Sequence, residues 1–473
     1  MRLPISLLAA ALAAFLPSLA VAQTGLDADD LDTAAALREQ ALRGSAAWAV
    51  VESLTTEVGP RLAGTEADAR AVAWAKAKFE AMGFDKVYLE PVSFPVWRRG
   101  HERAEVVGPF AQPLAITALG GSIGTGGRPL EAEVVAFADL AALKAAPEGS
   151  LAGKIAYVGY RIERHRDGHG YSPGSTIRAS GASEAARKGA AGLLIRSVGT
   201  DSDRLPHTGV MRYAADVAPI PAAALSNPDA DQVERLLRRD QPLTVRLDIE
   251  AGTQGEYVSH NVIGEIRGRE LPDEVVTIGG HLDSWDLGTG AIDDASGVGI
   301  TMAAGALIGE LKRAPRRTVR VIAYANEEQG LFGGKAYAAA RLAAGEVGAH
   351  QIGAESDFGA GKIYALRAGV DPAAWPVIAQ IGEVLAPLGI ATEPGVGSAG
   401  PDVGPIVALG APWAQLAQDG SDYFDYHHTA NDTLDKVDAK ALDQQVAAYA
   451  VLAYLAAETT VDFGQLPVKP AAP

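Results

Sequence analysis

The chain contains no cysteine in 473 residues. That removes a disulfide framework, a thiolate nucleophile and any sulfur ligand from its chemistry. Any metal would have to be held by His, Asp and Glu. Positive charge is also scarce: 41 Lys and Arg against 58 Asp and Glu leave a formal net charge of −17. Phosphate backbones need clustered Lys and Arg, so no nucleic-acid partner is expected. Charge of either sign is modest at 21%, while 48% of residues are hydrophobic, which excludes global disorder and supplies ample core. At this length two or three domains are expected.

Apolar runs are short except at the start. "MRLPISLLAAALAAFLPSLAVAQ" has a positive Arg2, an apolar run from Ile5 to Leu19, and Ala20-Val21-Ala22 in the small-x-small pattern. It reads as a secretory leader over 1–22, with the mature chain beginning at Gln23 in the periplasm or outside the cell. No later stretch reads as a membrane span.

Residues 27–82 read as helical. "TEADARAVAWAKAKFEAMGF" carries Val72, Ala75, Phe79 and Met82 at helical spacing, with Thr65 as the cap and Gly83 as the stop. From about 130 to 250, short β-like runs alternate with helices: "GKIAYVGY", "ASEAARKG", "AGLLIRSV", "IPAAALS", "DADQVERLLRR" and "PLTVRLDIEAG". That alternation predicts a separate α/β unit. After Gly255 the runs strengthen. "YVSHNVIGEIRG", "EVVTIGGHLDS" and "RTVRVIAYANEE" read as strands, the last nearly all apolar, and "DASGVGITMAAGALIGELKR" as a helix rich in small residues. Near-continuous apolar strands belong to the centre of a sheet covered on both faces.

"HLDSWDLGTGAIDDASG", residues 281–297, holds one His and four Asp among small residues. Taken alone it reads as a polar turn capped by Asp. The later sequence shifts the reading. Ligands collect beyond the carboxyl ends of strands in open α/β sheets. His281 and Asp283 follow one strand there, and Glu327 and Glu328 in "YANEEQG" follow another. Asp357 sits among turn residues in "GAESDFGAG", His427 and His428 in "FDYHHTANDT", and Asp293 opens "DDASG". Imidazole and carboxylate are zinc ligands, at about 2 Å and usually four to an ion. Two ions about 3.5–4 Å apart need a carboxylate with an oxygen for each, and an Asp at a helix start between the two strand ends is placed to bridge.

The set "HLD", "DDASG", "NEE", "ESD" and "YHHT", in this order, resembles the co-catalytic zinc aminopeptidases and glutamate carboxypeptidases. "GPRLAGTEADARAVAWAKAKFEAMGF" is similar to that family's amino-terminal helical segment, and "AAGLLIRSVGTDSDRLPHTG" to its inserted protease-associated domain. The resemblance covers nearly all of the chain after the leader. It implies an α/β fold whose mixed, largely parallel central sheet is flanked by helices. The catalytic domain would span 23–129 and 253–465, with a protease-associated domain over 130–252 and a tail over 466–473. It implies two zinc ions per subunit: His281 and Asp357 on one, Glu328 and His428 on the other, and Asp293 on both. Glu327 would be the general acid/base. Asp283 would orient the His281 imidazole, and the Asp293–Asp294 peptide bond would be cis, as in relatives. The implied activity is exopeptidase action on dipeptides or short peptides. An aminopeptidase on longer peptides is the nearest alternative; a glutaminyl cyclase or an inactive binding relative would be expected to lack part of this set. Dimers occur among relatives, so a homodimer is one expected state.

Several residues read as bystanders. His165 and His169 in "HRDGH" are spaced like zincin ligands, but Arg166 stands where Glu should be and Gly168 interrupts the helix, so a solvated loop is expected. His427 is expected to point away from the metals on an extended loop. His207 and His260 read as ordinary loop or strand residues, Asp402 as a turn residue, and Asp432 as support for the His428 loop. "GSIGTGG" lacks the Lys-Ser/Thr and helix of a phosphate loop. The segment 130–252 is expected to wall the substrate cleft without supplying a catalytic group.

Overall fold

The computed structural model describes residues 25–239 and 241–468. The leader over 1–22 and the start at Gln23 lie outside the described residues, as does most of the tail. Helices Ala28–Arg43, Ala47–Ser53 and Glu66–Ala81 open the chain. The Thr65 hydroxyl accepts from the Asp68 N–H (3.2 Å), capping the third, and Val72, Ala75 and Phe79 are buried on one face. Gly83 follows in the left-handed region (φ +82°) and turns the chain out of the helix.

Fourteen strands form one mixed sheet among the described residues. They are β1 (Lys86–Val107), β2 (Gln112–Leu114), β3 (Ile116–Ala118), β4 (Leu130–Phe137), β5 (Ile155–Val158), β6 (Gly192–Arg196) and β7 (Ala222–Leu225). Then come β8 (Thr244–Ile266), β9 (Leu271–His281), β10 (Arg317–Tyr324), β11 (His350–Glu355), β12 (Ile363–Gly369), β13 (Ala391–Thr392) and β14 (Trp413–Gln418). The order is β13-β12-β14-β11-β9-β10-β8-β4-β5-β6-β7-β3, with β1 paired to β2 and β8. Strands β14, β11, β9 and β10 are mutually parallel, and β8 joins β10 antiparallel.

The centre of the sheet is covered on both faces. Along β10, Val319, Val321 and Ala323 enter one apolar cluster, whereas Ile322 and Tyr324 enter another on the opposite side. This is the period-two alternation of a strand buried twice. Helices Ser296–Gly309 and Ala439–Glu458 pack against the first face, and helix Phe332–Ala344 lies on the second. The stretch Ala291–Gly309 is by length and composition apolar enough to cross a bilayer, contrary to the sequence reading, but 89% of its apolar window is buried inside the protein, as a turn and the core helix Ser296–Gly309.

Strands β4 to β7 with β3 form a second lobe with an apolar cluster of its own around Leu194, Ala223 and Val245. Two expected strands, "PLTVRLDIEAG" and "YVSHNVIGEIRG", are one: β8 runs unbroken through Gly252 and Gly255 because β1 pairs with it along most of its length. Two prolines in β1, Pro91 and Pro95, explain why it did not read as a strand; they are tolerated because over this stretch β1 pairs only with β8.

Candidate metal centre

Three adjacent parallel strands deliver side chains to one end of the sheet. His281 is the last residue of β9, Glu327 and Glu328 follow β10, and Asp357 follows β11. Asp293 comes from the turn Ala291–Ala295 that feeds helix Ser296–Gly309, and His428 from the loop after helix Tyr423–Tyr426. A glycine makes the close approach of that turn to the strand ends feasible: a Cβ on Gly297 would lie 1.8 Å from the Ser356 carbonyl oxygen.

The two oxygens of Asp293 face two different groups. Oδ1 lies 2.9 Å from His281 Nε2, and Asp357 Oδ1 is 3.6 Å from that same nitrogen. Oδ2 lies 3.3 Å from His428 Nε2, which is 2.9 Å from Glu328 Oε2. Glu327 lines the same cavity of 430 Å³. Four of these five donor residues are buried, and Asp357 is nearly so.

The tautomers are set from outside. His281 Nδ1 is 3.1 Å from the Asp283 carbonyl oxygen, and His428 Nδ1 is 3.2 Å from the Thr208 carbonyl oxygen. A carbonyl oxygen only accepts, so each Nδ1 carries the hydrogen and each neutral ring turns its Nε2 lone pair toward carboxylates. Acceptor facing acceptor requires a shared proton or a cation between them. Glu328 Oε1 is also buried without a hydrogen-bond partner. This donor set, imidazole nitrogen and carboxylate oxygen with the second ring nitrogen anchored, fits divalent zinc.

Protons record the same crowding. Burial disfavours a charged His281, but hydrogen bonds to Asp283, Asp293 and Asp357 outweigh it and hold the ring well above its usual range. Burial likewise disfavours a charged His428, but the Glu328 and Asp293 carboxylates outweigh it and take the ring up to about 9. Asp293 is held well below the carboxylate range; burial works against this, and His281 and His428 prevail. Burial, aided by neighbouring carboxylates, lifts Glu328 to about 7 and raises Glu327 well above its ordinary value.

Asp283 serves two neighbours. Its carbonyl fixes His281, while its carboxylate Oδ1, 3.5 Å from His281 Nδ1, accepts the Glu327 N–H at 3.0 Å. The backbone oxygen is therefore closer to the imidazole than the expected carboxylate. The Asp293–Asp294 bond is cis. Asp294 Oδ2 accepts the His281 N–H (3.0 Å) and Oδ1 the Gly297 N–H (3.0 Å), tying the strand end to the helix start. Asp432 braces the turn carrying Asp293, through the N–H groups of Ile292 (2.6 Å) and Asp293 (3.2 Å).

Two supports were not legible beforehand. Arg61, within the quoted "GPRLAGTE" but not singled out, is fully buried and donates to the carbonyls of Leu282, Thr289 and Gly290 (2.5, 2.6 and 2.9 Å). It ties together the loop between His281 and Asp293. His207 is no ordinary loop residue. Its Nδ1 donates to the His427 carbonyl (2.7 Å), its Nε2 faces Asp201 Oδ2 (2.5 Å), and the neighbouring Thr208 N–H donates to the His428 carbonyl (3.0 Å). The second lobe thus grips the His427–His428 backbone.

His427 departs from expectation as well. The loop is not extended: His428 has a left-handed φ of +62°, so the two rings stack on one side, with centroids 3.5 Å apart. His427 Nε2 comes within 3.6 Å of Asp293 Oδ2. His165 and His169 do not line the cavity and sit on a largely exposed loop, His260 is within β8, and Asp402 is a buried turn residue bound to the Gly334 N–H (3.0 Å).

The family described as Peptidase family M28 matches residues 261–453. Carboxypeptidase Q of Bos taurus is 34% identical over 406 residues, 86% of this chain and 84% of that protein. The crystal structure of a Peptidase M28 precursor from Shewanella amazonensis superposes with a TM-score of 0.91 at 52% identity, covering 93% of this chain and 99% of that one. A zinc aminopeptidase from Bacillus subtilis, 19% identical, shares the fold with a TM-score of 0.64 over 89% of this chain and 98% of its own.

Proposed function

Because the chain belongs to peptidase family M28 and is a peptidase, we propose that it is a two-zinc exopeptidase acting on dipeptides or short peptides. The observation that carries this reading is Asp293, whose two oxygens face two separate His–carboxylate pairs. His281 and Asp357 would hold one ion, His428 and Glu328 the other, and Asp293 both. Bound there, the ions supply Lewis acidity to the scissile carbonyl and to the attacking water. Glu327 lines the cavity beside this set, is raised by burial, and would take the water's proton and deliver it to the leaving amine. Asp283 supports both halves of that chemistry, anchoring the His281 ring and the Glu327 backbone. The second lobe, read as the protease-associated domain of residues 130–252, walls the cavity through Tyr171, Arg178, Val210 and Arg212.

Export rests on the charged and apolar pattern of residues 1–22, and places the enzyme in the periplasm or outside the cell. The test of the reading as a whole is elemental analysis joined to activity on a dipeptide panel. Two zinc ions per chain are expected, and a chelator should abolish hydrolysis while leaving most secondary structure intact, since the ligands sit on loops beyond a large core. Full activity in metal-free protein would overturn the assignment. One zinc per chain with cyclisation of an amino-terminal glutamine would favour a glutaminyl cyclase instead.

A further inference from the structure

Asp286 lies in the stretch between His281 and Asp293, and its carboxylate pairs with Arg99 (Oδ1 to Nη2, 2.9 Å), a side chain only 5% exposed on β1. Arg99 stands at a register shift of the β1–β8 pair, where Arg99 faces Ala251 and Glu102 faces Ile249, one extra residue on β1. A bulge of this kind re-aims side chains. Here it brings Arg99 and Glu102 together, 3.5 Å apart. The guanidinium also lies 5.2 Å from the ring centroid of Trp97 and 5.7 Å from that of Trp285. Two indoles and two carboxylates thus hold it in one orientation.

That orientation is aimed at Thr208. Arg99 Nη2 donates to the Thr208 hydroxyl (3.0 Å), and Nη1 donates to the Ala118 carbonyl (3.1 Å), which the Thr208 hydroxyl also reaches (3.0 Å). Thr208 is fully buried, and its main chain grips His428 twice: its N–H donates to the His428 carbonyl (3.0 Å), and its carbonyl faces Nδ1 (3.2 Å). Trp285, beside Asp286, packs against the same imidazole with centroids 5.8 Å apart, and its tip sits on Gly120, where a Cβ would come within 2.1 Å. Resting on the two-zinc reading above, we propose that Arg99 is the positioning residue of the zinc site formed by His428 and Glu328. Through Thr208 it fixes the carbonyl that turns His428 Nε2 toward Glu328 and Asp293. The other site has supports of its own, since Arg61 holds the loop from Leu282 to Gly290 and Asp432 holds the Asp293 turn. Loss of Arg99 therefore falls on the ion at His428, not on the one at His281 and Asp357.

The test is stepwise removal of zinc from the full chain by a chelator of known affinity, with metal content read by elemental analysis. Arg99→Gln should weaken one ion about 10- to 100-fold, the common effect of losing support around a metal ligand, and leave the other unchanged. Arg99→Lys keeps the charge beside Asp286 and Glu102 but not the planar fork, and should recover part of the loss. Which ion is affected is read in Glu328→Gln, expected to retain the ion at His281: adding Arg99→Gln there should leave its affinity as it was. Thr208→Val removes the hydroxyl, keeps the main chain, and should weaken the same ion; it decides the matter if Arg99→Gln does not fold. Two ions held by the deciding variant as tightly as by the wild type overturn the proposal. So does equal weakening of both ions, which is what a general loss of packing would give. A wild type that binds one zinc overturns the two-zinc reading alone. Arg99 then stands if Arg99→Gln weakens that ion and His428→Ala abolishes it, and falls otherwise. A wild type that binds none removes both.

Discussion

Two pairs of histidines in this molecule stack almost identically. His165 and His169 have ring centroids 3.6 Å apart at 29°, and His427 and His428 are 3.5 Å apart at 20°. Both pairs have carboxylates at hand: Glu163 and Asp167 for the first, Asp293 and Glu328 for the second. They differ in water. The side chains of the first pair are 32% and 63% exposed, those of the second 7% each. They differ too in what holds the far nitrogen. His428 Nδ1 is committed to a backbone carbonyl, whereas the His169 Nδ1 faces the Asp167 carboxylate from its own loop. A nearby carboxylate is thus insufficient for a metal site; a fixed tautomer and exclusion of water are what separate the two pairs.

The contrast can be sharpened first at the buried pair's acidic neighbours. Glu327→Gln removes the proposed base but no ligand, so both zinc ions should stay. General acid–base catalysis contributes about 10²–10⁴-fold, and kcat should fall by that much with KM little changed. Glu328→Gln should instead lose one zinc, with excess metal restoring part of the activity. Zinc content and kcat measured on both variants decide the division of labour; the opposite pattern would reverse the two roles.

A smaller effect is expected one layer out. His207→Ala removes the contact to the His427 carbonyl, and loss of such support around metal ligands commonly weakens affinity about 10- to 100-fold. Competition with a chelator of known affinity would measure it, and an unchanged zinc affinity would show that the Thr208 contacts hold the loop unaided. The smallest effect belongs to the exposed pair. The double substitution His165→Ala with His169→Ala should leave zinc content unaltered and stability within about 0.5 kcal/mol. Loss of bound zinc there would break the comparison outright.

What was legible follows from distance along the chain. His281, Glu327 and Glu328 stand at or just past the ends of apolar runs, so their strands and their common end of the sheet could be read together. Asp293 was legible because it opens a helix of small residues. Arg61 and His207 were not, because each acts on partners far along the chain: Arg61 on carbonyls more than 200 residues away, His207 on a carbonyl 220 residues away. No local period marks such a contact. The stacking of His427 on His428 escaped for another reason: it depends on one left-handed backbone angle at a residue that is not glycine.

The β1–β8 ribbon has a mechanical consequence. It runs from the Lys86–Glu265 pair, level with Arg320 in the first half of β10, past the carboxyl end of β10 where Ala323 meets Val262, and into the second lobe at the Val107–Thr244 pair. At about 3.3 Å per residue it is a beam roughly 70 Å long, stiff except at its two register shifts, between Pro95 and Trp97 and between Arg99 and Glu102. The Thr208–His428 bonds fasten the lobe at a second point, beside Asp293 and Glu328. A lobe attached at both places cannot swing aside without stripping His428 of the carbonyl that aims it. The cavity between sheet and lobe therefore keeps a set width, because its two walls are fastened to each other along the ribbon and again at the Thr208–His428 bonds.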